Sequence, residues 1–134
     1  FREVGGEMAR VASRIDPDYI CGIAVGGLPL AAALAYELGK PLIYVRKERK
    51  EHGTMKLLEG DYAKGARVLL VDDVATTGGT LASACRVLRE ESLVVEDALV
   101  VVDREEGAGE ALRELGVRLH SLTTLKRLLE VGQA

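Results

Sequence analysis

Residues 67–80 read RVLLVDDVATTGGT: one cation, four consecutive aliphatic residues, two adjacent acids, then small and hydroxylated residues. A short, β-branched apolar run without period-two alternation suits a strand buried on both faces. The stretch that follows, residues 80–91, has the spacing of a helix. This order of buried strand, polar turn and helix recurs along the chain. Upstream, residues 19–25 (YICGIAV) run into Gly26-Gly27. Pro29 then opens an Ala-rich helical segment over 30–38, with Gly39 placed as its C-terminal cap. A second run, 41–45 (PLIYV), follows, and then a polar stretch over 46–64. Downstream, 98–102 (ALVVV) precedes a helical stretch over 110–115. Residues 118–122 lead into a last helix over 124–131, with Thr123 or Thr124 as its cap.

Five apolar runs alternating with helices predict an α/β fold, doubly wound around a mainly parallel five-stranded sheet. Without an internal repeat or a linker, residues 1–134 read as one domain. In such sheets ligands bind beyond the carboxyl ends of the strands, so the residues after each run carry the functional information.

Composition narrows the classes. The chain has 134 residues, 48% hydrophobic and 29% charged, which excludes a disordered or low-complexity protein. No apolar run approaches the roughly 20 residues of a membrane-spanning helix, and the first residues given lack the basic-then-apolar pattern expected of a secretory leader. Eighteen Lys and Arg against 21 Asp and Glu give a net charge of −3, which argues against an electrostatic nucleic-acid binder. Cys21 and Cys85 lack metal-ligand spacing and read as small buried hydrophobes in a reducing compartment, with the cytoplasm as the expected location. The first residue is Phe1 rather than Met, the expectation for a chain whose upstream part is left out.

The polar turn after residues 68–71 has a chemistry of its own. Asp72 and Asp73 arrive at the end of a buried strand. Ala75, Thr76, Thr77, Gly78, Gly79 and Thr80 then lead into a helix, where small residues let backbone N–H groups converge on an anion. No Lys follows the glycines, so this is not a Walker loop, and the G-x-G-x-x-G of dinucleotide folds is absent. Two carboxylates beside a phosphate cradle suit a sugar phosphate, whose diol donates hydrogen bonds to the acids while its phosphate occupies the loop. The alternative is a simple capped turn.

In that ordered combination the segment resembles the phosphoribosyl-pyrophosphate signature of type I phosphoribosyltransferases. The resemblance implies that Asp72 and Asp73 hold the ribose hydroxyls and that residues 75–80 hold the 5′-phosphate. Residues 46–53, RKERKEHG, carry four cations, two acids and a His in eight positions. Such a run is most often a solvated loop, but it also suits a lid closing on an anion. It is similar to the flexible catalytic loop of orotate phosphoribosyltransferases. By that similarity Arg46, Lys47, Lys50 and His52 contact pyrophosphate, and part of the loop reaches a neighbouring subunit, implying a homodimer. Residues 22–29, GIAVGGLP, resemble the family's pyrophosphate loop, with Gly26 where some members carry Lys. Asp103-Arg104 matches the family's Asp-Arg pair, which implies that Arg104 grips the orotate carboxylate. From the residues alone, Arg104 reads as an ion pair with Glu105 or Glu106. Thr76 is a further candidate for the base, and His120 reads as structural.

The resemblance spans essentially the whole chain and implies transfer of phosphoribose from phosphoribosyl pyrophosphate to orotate. Mg²⁺ would be bound mainly through the substrate diphosphate, without a direct protein ligand. Family members also carry an N-terminal hood ahead of the position of Phe1. Two other functions stay open: a phosphoribosyl-pyrophosphate-sensing domain of a transcriptional regulator, and a transferase for another nucleobase.

Overall fold

The computed structural model describes residues 2–46 and 57–132. The elements run α1 (Arg2–Ile15), β1 (Tyr19–Ile23), α2 (Leu28–Leu38), β2 (Leu42–Val45), β3 (Leu58–Glu59), β4 (Arg67–Ala75), α3 (Gly79–Glu90), β5 (Val94–Asp103), α4 (Ala108–Glu114), β6 (Arg118–Thr124) and α5 (Leu125–Gly132). One sheet takes the order β3-β2-β1-β4-β5-β6. Every pairing is parallel except that of β3 with β2. The expected doubly wound, mainly parallel sheet is present, with six strands among the described residues rather than five. The extra strand, β3, has two residues and pairs Tyr44 with Glu59 and Val45 with Leu58. So short a segment has no periodicity to detect.

Strand alternation splits the core into two layers. Ile20, Leu69, Val71 and Leu99 pack with Met8 and Ala12 of α1 and Ala31, Leu34 and Ala35 of α2. Cys21, Ile23, Val68, Leu70 and Val100 pack on the other face with Leu81, Cys85 and Leu88 of α3 and Leu112 of α4. Burying apolar side chains on both faces at about 25 cal/mol per Å² is what holds the three layers together. The sequence pattern did not single out α1. Its apolar positions, Val4, Met8, Val11, Ala12 and Ile15, have helical spacing, but Gly5 and Gly6 dilute the signal, since each costs a helix about 1 kcal/mol relative to Ala.

The caps follow the sequence. Gly39 ends α2 at φ +64°, its N–H reaching the carbonyls of Ala35 and Tyr36. Thr124, rather than Thr123, caps α5: its Oγ1 accepts the Arg127 N–H at 3.1 Å. Strand β5 begins four residues before the expected apolar run, because Glu96 and Asp97 interrupt the pattern. The β4–β5 register passes from Val68↔Val95 to Leu69↔Asp97, so Glu96 is the extra residue of a bulge. Asp97 is buried and accepts hydrogen bonds from Arg118 Nε at 3.0 Å and from His120, 2.8 Å away. The expected structural reading of His120 has this contact beside it.

The topology positions the site. After β1 the chain winds outward to β2 and β3, and after β4 it winds the other way to β5 and β6, so the switch point lies between β1 and β4. Pairing of β4 with β1 stops at Val71↔Gly22, whereas pairing with β5 continues to Ala75↔Asp103. From Asp72 onward, the β1-facing edge of β4 opens into a crevice.

Candidate active site

The two acids lie inside the second half of β4, not beyond its end. Asp72 is 6% exposed and Asp73 is exposed. Each is oriented by the next backbone N–H: that of Asp73 donates to Asp72 Oδ1, and that of Val74 to Asp73 Oδ1, both at 2.8 Å. The loop after β1 closes over them. A Cβ on Gly27 would meet the Val71 carbonyl oxygen at 2.7 Å and the Asp72 Oδ1 at 2.9 Å, and one on Gly26 would meet Asp73 Oδ2 at 2.8 Å. Only glycine lets this loop approach so closely. The peptide bond between Ala24 and Val25 is cis.

Past Ala75 the chain turns sharply. Gly78 takes φ +93°, a conformation that suits glycine, and a Cβ there would come within 2.9 Å of Ala108 Cα. Gly78 serves as the N-cap of α3 without a side-chain capping bond. The first turn of α3 therefore offers its N–H groups and the positive end of its dipole to the crevice. Asp72, Asp73, Thr76, Gly78 and Thr80 line a cavity of about 210 Å³ there. Thr80 also lines a second cavity of about 310 Å³, shared with Arg46, Ile23, Val45, Leu57 and Ser83.

The remaining expected residues fall into three groups. Ala75 and Arg104 meet directly, the Arg104 N–H donating to the Ala75 carbonyl at 2.9 Å, so Arg104 stands beside the turn between β4 and α3. Its side chain is half exposed, with Nε 3.2 Å from Glu106 Oε2, which is the ion pair the bare sequence suggested. Arg46 lies at the end of β2, next to the loop after β1, since the Ala24 N–H donates to the Val45 carbonyl at 2.9 Å. Lys47, Lys50 and His52 lie outside the described residues, as does the rest of the expected catalytic loop except Arg46. Sequence reasoning did not find Glu59, which pairs with Arg46 at 3.2 Å.

Among the described residues no cluster of three or more His, Cys, Asp or Glu side chains could hold a metal by itself. Two carboxylates do supply the hard oxygen donors that Mg²⁺ prefers, in a number suited to an ion that keeps most of its ligands from phosphate and water. Cys21 and Cys85 are free and buried, and burial pushes both thiols up. Neither is a nucleophile of this site.

Residues 6–117 match the phosphoribosyl transferase domain family. The orotate phosphoribosyltransferase of Aeropyrum pernix is 55% identical over 129 residues, covering 96% of this chain and 66% of that protein. That of Sulfurisphaera tokodaii is 50% identical over 116 residues, covering 87% of this chain and 59% of that protein. The chain thus spans 59–66% of the length of these two relatives. Among solved structures, the Aeropyrum pernix enzyme superposes with a TM-score of 0.81 at 55% identity, covering 88% of this chain and 67% of that one. The Mycobacterium tuberculosis H37Rv orotate phosphoribosyltransferase in complex with 5-phospho-alpha-D-ribosyl 1-diphosphate gives 0.78 at 30%, covering 92% and 72%. An acid pair on an open strand edge, a Gly-turned loop feeding an uncapped helix and these matches agree: the chain belongs to the phosphoribosyltransferase family, on its orotate phosphoribosyltransferase branch.

Proposed function

We propose that the protein transfers the phosphoribosyl group of phosphoribosyl pyrophosphate to orotate, giving orotidine 5′-monophosphate and pyrophosphate in pyrimidine synthesis. The observation that carries this is the β4–α3 junction, where Asp72 and Asp73 face the same cavity as the Gly78 turn and the first residues of α3. The carboxylates accept hydrogen bonds from the ribose 2′- and 3′-hydroxyls. Residues 75–80 hold the 5′-phosphate through N–H groups and the hydroxyls of Thr76, Thr77 and Thr80. The loop after β1 receives the diphosphate, with backbone N–H groups taking the part of the absent Lys at Gly26.

Arg104 takes the orotate carboxylate, for which its planar fork is well shaped. As the glycosidic bond of the donor breaks, charge grows on the diphosphate, and Arg46, Lys47, Lys50 and His52 stabilise it there. Mg²⁺ would be held mainly by the diphosphate and would neutralise its charge there, with Asp72 and Asp73 offering hard oxygen donors in the cavity beside it. The branch of the family to which the relatives belong favours orotate over another base, and the enzyme over the sensing domain of a regulator.

A homodimer is the assembly we propose. The outer face of α2 carries Pro29, Ala32, Ala33 and Tyr36 at helical spacing, all exposed and Tyr36 90% so, an apolar surface suited to a second copy. We assign the reaction to the cytoplasm, where a reducing environment suits two free thiols.

The test is product formation by the full-length protein with orotate, uracil, adenine, hypoxanthine and guanine in turn, each with donor and Mg²⁺. Orotidine monophosphate from orotate alone supports the assignment. Product from another base and none from orotate overturns it.

A further inference from the structure

Glu59 belongs to the two-residue strand β3 at the edge of the sheet, opposite Tyr44. Its carboxylate lies 3.2 Å from the Arg46 guanidinium, and the two side chains are only 33% and 24% exposed. The Arg46 N–H donates to the Leu57 carbonyl at 2.8 Å. The end of β2 and the start of β3 are therefore joined by a main-chain hydrogen bond, a strand pairing and an ion pair. The guanidinium so held lines the cavity of about 310 Å³ that it shares with Thr80 and Ser83 in the first turns of α3.

We propose that Glu59 is a positioning residue for diphosphate binding, holding the Arg46 guanidinium ready beside the phosphate loop. This rests on the proposed function, in which Arg46 receives the diphosphate. An arginine side chain loses rotamer freedom when it captures an anion, and a carboxylate that has already ordered it reduces what remains to be lost. A guanidinium carries five N–H donors in a planar fork, a geometry by which one cation can serve a carboxylate and an anion oxygen together. The same contacts fix the direction in which Arg46 follows β2. The pair is thus kept for the geometry of one cation, since a partly exposed ion pair adds little to stability.

The test compares Glu59→Ala and Glu59→Gln in the full-length protein, each with and without Arg46→Ala. The readouts are KM for donor and for orotate, kcat, and the Kd of inorganic pyrophosphate by calorimetry with Mg²⁺. Glu59→Ala is expected to raise the donor KM and the pyrophosphate Kd about fivefold, the upper range for a partly exposed pair. The orotate KM should not move. Glu59→Gln, which still accepts a hydrogen bond from Arg46, should recover part of the loss. In the Arg46→Ala background Glu59→Ala should add nothing, because the effect passes through Arg46. An unchanged or lower donor KM and pyrophosphate Kd in Glu59→Ala overturns the proposal, as does an equal effect without Arg46. Failure of the proposed function would show separately, as wild-type protein that makes no orotidine monophosphate.

Discussion

Gly27 packs its backbone directly on Asp72: a Cβ at position 27 would come within 2.9 Å of both the Cα and the Oδ1 of that acid. The loop after β1 and the acids of β4 are thus a single steric unit. Gly27→Ala must push either the start of α2 or the Asp72 carboxylate out of place. Overpacking of this kind costs about 1–3 kcal/mol of stability. The donor KM should rise by roughly tenfold, if the displacement costs about 1.4 kcal/mol of donor binding. Chemical denaturation and steady-state kinetics check the two effects.

Arg104 is tied to the end of β4 through its backbone, while its side chain is half exposed and paired with Glu106. Its removal should therefore leave the loop intact and act on the base alone. Arg104→Ala is expected to raise the orotate KM by about tenfold or more, in the range of a lost charge-assisted hydrogen bond, with the donor KM within about twofold of wild type. Arg104→Lys should recover little, because a point charge does not replace a planar fork. Equal changes in both KM values would show that Arg104 supports the loop instead.

Asp97 sets a pH dependence away from the site. Burial pushes its carboxyl up, but hydrogen bonds and charge from Arg118 and His120 together outweigh that and hold it below its ordinary value of 3.8. The folded state thus prefers the ionised form. The resulting stabilisation is complete above the ordinary value and is lost as pH falls through the lower folded-state value. Arg118 is held in turn by Asp97, with a smaller contribution from Glu96. Asp97→Asn should lower Tm at neutral pH and flatten its decline below about pH 4. A decline as steep as that of wild type would assign the acid sensitivity to other carboxylates.

Much of this fold is legible in the chain itself, and the exceptions share a physical reason. The apolar runs of β1, β2, β4 and β6, the Gly39 cap and the turn at Gly78 depend on local spacing, and local spacing is what a sequence displays. Asp97 depends on a partner across a parallel register, Asp97↔Arg118, that no local pattern reveals, so the start of β5 was hidden. Glu59 is similar: its meaning comes from Arg46, thirteen positions earlier and adjacent only through the β2–β3 pairing. At the site, the order of acids and small residues was readable. That the acids sit within β4, on an edge that β1 no longer covers, required the sheet.

The thiols offer a simple check on the core. Cys21 and Cys85 are buried in the layer beneath α3, and burial pushes each thiol up, so neither carries much thiolate at neutral pH. Both should react with a thiol reagent only at the rate of unfolding. Fast labelling of either in the folded protein would show that the α3 layer opens.

The most direct test of the site is a calorimetric titration of phosphoribosyl pyrophosphate into the full-length protein with Mg²⁺, beside its Asp72→Asn and Asp73→Asn variants. The expected result is saturable binding to wild type that weakens about tenfold or more in each variant, the range for a lost hydrogen bond to a charged group. Equal donor affinity in all three proteins would contradict the assignment of the β4–α3 junction as the donor site.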